Sequence, residues 1–250
     1  GGGTHLPDIV LAEPIFHEDR LVAWAINTAH HADFADRGHA HIYQEGVRIP
    51  PVRLYREGVL QEDIQNLILL NCQVPRERLS DLRAQMSANH LCVRRMQDLC
   101  SKYGADKVLA AGDALQDYAE RKMRAGIAAI PDGTYEFADI FDSNQFPEPM
   151  ELKVAITVKG DAMHLAFDAP PQVAAGLNVI YTGLLSTCYY AVKAVIDPTV
   201  LPNAGLARPL TVEAPEGSLL NCKHPAAVDG RIAACQRVAD IVQGALAKAL

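Results

Sequence analysis

Two apolar runs near the start of the chain predict a β-hairpin. The first covers residues 9–16 and the second covers residues 21–27, and each has the length and the apolar continuity of a buried strand. The polar segment 17–20 between them supplies a turn. Because a hairpin is antiparallel, the residues that precede its first strand lie beside those that follow its second. We therefore expect residues 5–8 to lie close to residues 30 and 31.

After the hairpin the spacing of apolar residues becomes helical. We predict a short helix over residues 63–70 and a long helix that begins at Pro75, because proline suits the first turn of a helix. Gly104 is the expected end of this long helix. A second long helix is predicted over residues 106–123. We expect the two long helices to form an antiparallel hairpin packed on the sheet.

Beyond Pro131 the alternation of apolar and polar residues returns. It predicts strands at residues 135–141, 152–158, 163–167 and 210–213, with a hairpin turn at residues 159–161. Helical spacing predicts two further helices, at residues 182–196 and 232–250.

The predicted fold class is α+β, with mixed sheets, a long antiparallel helical hairpin and further helices. We treat residues 1–250 as one domain. Its opening glycines and its unfinished helical pattern at Leu250 predict a domain that is incomplete at both ends.

Composition narrows the classes of function. The chain has 23 basic and 30 acidic residues and a net charge of −7, which argues against a nucleic-acid-binding face. No apolar run reaches the length of a membrane span, and no secretory signal is visible. The six cysteines include no CxxC pair, so we interpret them as reduced thiols of a cytoplasmic protein. Glycine-rich nucleotide loops and the GxSxG motif of serine hydrolases do not occur.

The candidate chemistry lies at the expected open end of the hairpin. His5 and Asp8 precede the first strand, and His30 and His31 follow the second. Neighbouring residues of a strand point to opposite faces, so only one of the two adjacent histidines can join His5 and Asp8. Two imidazoles and one carboxylate would leave open positions on a divalent ion, which suits catalysis. On the residues alone, a metal site and a chance proximity in a loop both remain open.

Five segments, taken together and in order, resemble the hydantoinase B/oxoprolinase family. They are residues 2–9 (GGTHLPDI), 29–33 (AHHAD), 43–51 (YQEGVRIPP), 80–85 (SDLRAQ) and 214–221 (APEGSLLN). The family includes the B-type component of N-methylhydantoinase, the matching half of 5-oxoprolinase, and the metal-bearing subunits of acetone and acetophenone carboxylases. The resemblance implies that this chain is part of a larger hydantoinase B-type fold.

The resemblance also implies a site and a mechanism. It assigns His5, Asp8 and His30 as ligands of zinc or manganese, with His31 and Asp33 in supporting catalytic positions beside them. It implies a hydantoinase A-type partner that binds ATP and phosphorylates a small cyclic amide, which water activated by the metal then hydrolyses. The alternatives are a subunit of an ATP-dependent acetone- or acetophenone-type carboxylase and an inactive truncated scaffold. The chain departs from the family in a shortened loop after Asp33 and in Ser80, where the family usually has glycine. The family also uses an aspartate upstream of His5, at a position that precedes the first residue of this sequence.

Overall fold

The chain divides into two compact units, one up to Ala111 and one from Gly112 to Leu250. Each unit combines helices with β-strands, and this confirms the predicted α+β class. Our expectation of a single domain over residues 1–250 stays a prediction. A computed structural model describes residues 5–32, 34, 42–44, 46–146 and 148–250.

The predicted hairpin organises the first unit. Strand β1 spans Asp8–His17 and strand β2 spans Arg20–His30. They pair antiparallel, with Asp8 opposite His30 at the open end of the hairpin. The turn is tight, and Glu18 adopts a φ of 54° there. Side chains alternate between the two faces of the hairpin, of which one is largely buried and the other largely exposed.

Short elements connect the hairpin to the helices. A 3₁₀ turn covers Ile42–Gln44, strands β3 (Tyr55–Arg56) and β4 (Val59–Leu60) pair antiparallel, and helix α1 spans Glu62–Leu70. The short helix predicted from residue 63 is thereby confirmed.

The long helix α2 spans Pro75–Tyr103 and packs on both strands of the hairpin. Pro75 occupies its first turn, as predicted. The helix ends at Gly104, whose φ of 86° is in the region that favours glycine and whose N–H donates to the carbonyl oxygen of Cys100 at 2.8 Å. Its apolar contacts form two small clusters, one around Ile9 and Leu82 and the other around Ile15 and Cys100.

Helix α3 spans Ala105–Ile127 and corrects one detail of the prediction. We expected it to pack on the same sheet as α2. Only its first turns do so, where Val108 and Leu109 contact the cluster around Ile15. Its later turns place Met123 and Ile127 in the core of the second unit. The apolar positions of α3 predicted a helix, but their spacing does not specify which sheet each turn contacts.

A four-stranded sheet organises the second unit. Its strands are β5 (Gly133–Phe141), β6 (Met150–Lys159), β7 (Ala162–Asp168) and β8 (Leu210–Glu213), in the order β5-β6-β7-β8. The first three pair antiparallel, and β8 is parallel to β7. The predicted turn at residues 159–161 contains Gly160 with a φ of 59°. All four predicted strands are therefore confirmed.

Two helices cover one face of the four-stranded sheet and complete the core of the second unit. Helix α4 spans Tyr181–Ile196 and helix α5 spans Arg231–Leu246. The core between the strands and helices is formed by apolar side chains such as Ile156, Leu165 and Val238, all with no exposed surface. Within the described part of the chain, none of the helices has the length and apolarity needed to cross a membrane.

Candidate functional site

Asp8 and His30 form a hydrogen-bonded pair at the open end of the hairpin. The antiparallel register places them opposite each other, and Nδ1 of His30 donates to Oδ1 of Asp8 at 2.7 Å. The side chain of His30 is 62% exposed and that of Asp8 is 34% exposed. Ion pairs in such an exposed setting contribute only about 0–1 kcal/mol to stability. The pair therefore adds little to the stability of the hairpin.

His5 lies beside this pair. Its ring centroid is 5.0 Å from that of His30, and the two ring planes are inclined by 32°. The backbone holds the segment in place, because the carbonyl oxygen of Pro7 accepts hydrogen bonds from the N–H groups of Ile9 and His31 at 3.0 and 2.9 Å. The structure thus brings His5, Asp8 and His30 together. Among the residues whose positions are described, no group of three or more His, Cys, Asp or Glu side chains has the spacing of a formed metal site.

His31 points to the opposite face from His30, as the alternation along a strand predicted. Its side chain has no exposed surface, and its Nε2 lies 2.9 Å from Oε1 of Gln85 on α2. Its Nδ1 lies 3.8 Å from Oδ2 of Asp81 and has no hydrogen-bond partner within the described structure. His31 is therefore not beside His5 and Asp8 but on the buried side of the hairpin.

A stripe of polar side chains on α2 lies against the hairpin beside His31. The carboxamide Nε2 of Gln85 donates to the carbonyl oxygen of Ile9 at 2.9 Å and to Oδ1 of Asn27 at 2.8 Å. One turn further along α2, Nδ2 of Asn89 donates to the carbonyl oxygen of Leu11 at 3.2 Å. Nδ2 of Asn27 closes the network through contacts of 2.8 Å to the carbonyl oxygen of Gln85 and 2.7 Å to Oδ1 of Asn89.

Backbone carbonyls fix the orientation of the amides in this network. A carbonyl oxygen accepts only, so the group of Gln85 that faces Ile9 must be its NH2, and its oxygen must face His31. His31 consequently carries a proton on Nε2. The orientation follows from the surrounding hydrogen bonds and not from the amide alone.

Arg78 extends the stripe toward the start of α2. Its side chain is only 7% exposed, and it pairs with Oδ2 of Asp81 at 2.9 Å. Asp81 thus lies between a buried guanidinium and the buried ring of His31. A buried arginine needs such a partner, because an isolated charge in the interior is strongly unfavourable.

Sequence reasoning missed this stripe. Residues 80–85 contributed to the family resemblance, but neither Gln85 nor Asn89 was assigned a role. The usable signal was that Arg78, Asp81, Gln85 and Asn89 recur at three- and four-residue steps, beside the apolar positions of the helix. The remaining predicted site residue, Asp33, lies outside the described residues.

The exposed face of the hairpin extends from the Asp8–His30 pair toward the turn. Val10 and Ile26 lie on this face and are 58% and 63% exposed, and Trp24 is 54% exposed. Single exposed apolar residues are common in folded proteins, whereas large exposed apolar patches mark interaction sites. The exposed ring of His30 therefore shares its face of the hairpin with these apolar side chains.

The cysteines lie elsewhere and are all free thiols. Burial raises the pKa of the Cys188 thiol to about 12. Burial also raises the pKa of Cys72 and Cys222. Because the thiolate is the reactive form, these three residues are poor nucleophiles near neutral pH.

The hydantoinase B/oxoprolinase family model matches residues 1–250, and the chain belongs to that family. It is 33% identical to an uncharacterized protein of Methanocaldococcus jannaschii, over 98% of this chain and 44% of that protein. It is 32% identical to the beta subunit of the caprolactamase of Pseudomonas jessenii, over 99% of this chain and 44% of that protein. The chain therefore spans less than half the length of these relatives.

Two solved structures share the fold. The crystal structure of the ATP-dependent caprolactamase from Pseudomonas jessenii matches 99% of this chain and 44% of its own, with a TM-score of 0.89 and 31% identity. A nucleotide-free acetone carboxylase structure matches 92% of this chain and 33% of its own, with a TM-score of 0.82. Because the identity to the carboxylase is 19%, that likeness shows the fold alone.

Proposed function

We propose that this chain is part of the metal-bearing subunit of an ATP-dependent cyclic amide hydrolase. The observation that carries the proposal is the meeting of His5, Asp8 and His30 at the open end of the hairpin. The family membership and the similarity to caprolactamase support it. The hydrolase is favoured over a carboxylase because the chain is 31% identical to the caprolactamase structure and 19% identical to the carboxylase.

The donor set fits a divalent ion of the zinc or manganese kind. Imidazole nitrogens suit zinc, and a carboxylate oxygen suits both zinc and manganese. The exposure of His30 leaves room for substrate beside the three side chains. A bound ion of this type supplies Lewis acidity and lowers the pKa of water toward about 7.

The residues of the chain have distinct roles in this proposal. Asp8 and His30 hold each other in place across the two strands, and His5 completes the donor set from the preceding segment. His31 supports the site from the buried face and does not touch the substrate. Asp33 keeps the supporting role that the family resemblance implies.

The wider reaction requires a partner. We propose that a partner of the hydantoinase A type binds ATP and phosphorylates the carbonyl oxygen of a lactam or cyclic imide, and that the two proteins form a hetero-oligomer. Phosphorylation converts a poorly reactive amide into an intermediate with a better leaving group. Hydrolysis of that intermediate then takes place beside Asp8 and His30.

The metal site is tested by comparing the two ends of one hairpin. Asp8→Asn and His30→Gln should each abolish measurable binding of Zn²⁺ and Mn²⁺ in equilibrium titrations, because each removes one donor of the set. Asp19→Asn and His17→Gln change the same residue types at the turn end of the hairpin and should bind as the unmodified chain does. Equal binding by all four variants would contradict the proposed site.

The reaction class is tested with the protein and its ATP-binding partner together. The expected result is ATP consumption that depends on a cyclic amide and yields the ring-opened product. ATP consumption that instead depends on bicarbonate and a ketone would identify a carboxylase and overturn the proposed hydrolysis. Metal binding without either activity in the reconstituted pair would indicate an inactive scaffold.

A further inference from the structure

We infer that Gln85 is a positioning residue for the Asp8–His30 pair. The inference deepens the proposed function and rests on it for the identity of the site. The observation behind it is that one buried carboxamide bonds to the residue that follows each member of the pair. Gln85 donates to the carbonyl oxygen of Ile9, next to Asp8, and accepts from the ring of His31, next to His30.

The pleat of the hairpin explains why a residue on the buried face can act on the exposed one. Successive side chains of a strand point to opposite faces, so fixing Ile9 and His31 fixes the direction of Asp8 and His30. Gln85 is only 6% exposed, and both ends of its carboxamide are bonded. It cannot rotate without breaking a buried hydrogen bond, which costs about 1–3 kcal/mol in proteins generally.

The hydrogen bonds of Gln85 require a particular orientation of donor and acceptor, which apolar packing does not. Its Nε2 also donates to Oδ1 of Asn27, so the carboxamide spans both strands and the adjacent histidine. A shift of β2 by one residue along β1 would turn every side chain to the other face. The carboxamide opposes such a shift at the end of the hairpin where the pair lies.

Asn89 offers a matched control on the same helix. It is also buried, at 4% exposure, and its amide also donates to a carbonyl oxygen of β1. However, that oxygen belongs to Leu11, and Asn89 bonds to Asn27 and not to His31. Loss of either amide removes buried hydrogen bonds between α2 and the hairpin, but only loss of Gln85 releases the residues beside the pair.

The first experiment uses the metal-free chain and its histidine rings. Long-range proton–nitrogen NMR spectra of ¹⁵N-histidine-labelled protein distinguish the two imidazole tautomers, and a His30→Gln variant assigns the signal of His30. In the unmodified chain we expect His30 to carry its proton on Nδ1, as the bond to Asp8 requires. Gln85→Met should shift His30 toward the Nε2-protonated form, whereas Asn89→Leu should leave its signal unchanged.

Two outcomes would overturn the inference. One is an unchanged His30 signal in Gln85→Met, and the other is an equal change in Asn89→Leu. If Gln85→Met does not fold, Gln85→Glu takes its place, since it keeps the oxygen that accepts from His31. That variant should change His30 in the same direction, because it lacks the N–H groups that hold Ile9 and Asn27.

The second measurement separates this inference from the proposed function. In Mn²⁺ titrations Gln85→Met should weaken binding by about 10–100-fold, the range typical of residues that orient metal ligands. Asn89→Leu should bind within about threefold of the unmodified chain, since it lies outside that group of residues. If the unmodified chain binds no Mn²⁺ or Zn²⁺, the proposed function fails, and the NMR comparison still decides whether Gln85 positions His30.

Discussion

The two units of the chain hold helices against strands by different means. In the first unit, α2 contacts the hairpin through hydrogen bonds from the buried side chains of Gln85 and Asn89 and through two small apolar clusters. In the second unit, α4 and α5 pack with the four-stranded sheet through a continuous apolar core. The polar interface lies directly behind the candidate site, and the apolar core contains no residue of that site.

The two kinds of contact contribute differently: apolar burial mainly sets stability, and buried hydrogen bonds mainly set the orientation of the residues they join. Apolar burial stabilises in proportion to the area removed from water, but it tolerates small shifts of one surface over another. Buried hydrogen bonds add less net stability, yet a shift leaves their donors and acceptors unpaired. A site that must hold Asp8 opposite His30 benefits from the second kind of contact. We therefore expect substitutions in the second unit to affect stability most and substitution of Gln85 in the polar stripe to affect the site.

The largest expected effect is in the apolar core. Leu165 has no exposed surface, and Leu165→Ala should lower the free energy of unfolding by about 2–5 kcal/mol, because it removes buried methylene groups and leaves a cavity. Urea denaturation measures the change, and hydrogen exchange resolves it to β7 and its neighbours. Leu115 is 57% exposed, and Leu115→Ala should stay within about 0.5 kcal/mol. Equal losses in both variants would mean that this core is not the main source of stability in its unit.

A smaller effect is expected in the polar stripe, where it should be non-additive. Asn27→Ala and Asn89→Ala should each cost about 1–3 kcal/mol, because each leaves a buried partner without its hydrogen bond. The double variant should cost less than the sum, with a coupling of about 0.5–3 kcal/mol.

Denaturant titration of all four proteins gives this coupling. Ser87→Ala, on the exposed side of α2, is the control and should change stability by no more than about 0.5 kcal/mol. Strict additivity of Asn27 and Asn89 would show that the stripe is a set of separate contacts. It would also remove the distinction that we draw between the two interfaces.

The sequence was sufficient to predict that Asp8 and His30 lie close together, but not that side chains of α2 hold the hairpin behind them. Apolar runs and a polar turn were enough to predict the hairpin, and its antiparallel closure brought His5 and Asp8 near His30. The pleat alone predicted that His30 and His31 would face opposite ways. All of these inferences use contacts within one local element, whose geometry has a fixed period.

The role of Gln85 could not be predicted in the same way. It depends on how far along the hairpin α2 packs, and this position is set by contacts between residues far apart in the chain, such as Ile9 with Leu82. Sequence spacing gives the face of a helix but not its position along a sheet. For the same reason the packing of α3 was predicted wrongly, because its apolar positions do not specify the unit that each turn contacts. The structure was needed to show both.

The smallest expected effect concerns an ion pair at the edge of the second unit and depends on pH. Nζ of Lys122 lies 2.7 Å from Oδ2 of Asp197. Hydrogen bonds from Lys122 and Thr199 hold the pKa of the Asp197 carboxyl well below its usual range, and Asp197 in turn raises the pKa of Lys122. A lowered carboxyl pKa contributes stability above the unfolded value, near 3.9, and that stability is lost as the pH falls further.

Asp197→Asn should therefore be less stable than the unmodified chain at pH 7 and at pH 5, and the difference should shrink as the pH approaches 3. Urea denaturation at the three pH values measures it, and Asp240→Asn, which changes an exposed carboxylate on α5, serves as the control. The difference should be smaller than that of Leu165→Ala at pH 7, because the pair is solvent-accessible and hydration weakens its attraction. A difference that grows as the pH falls would contradict the sign of the lowered pKa. A loss as large as that of Leu165→Ala would show that charge, and not apolar burial, dominates the stability of the second unit.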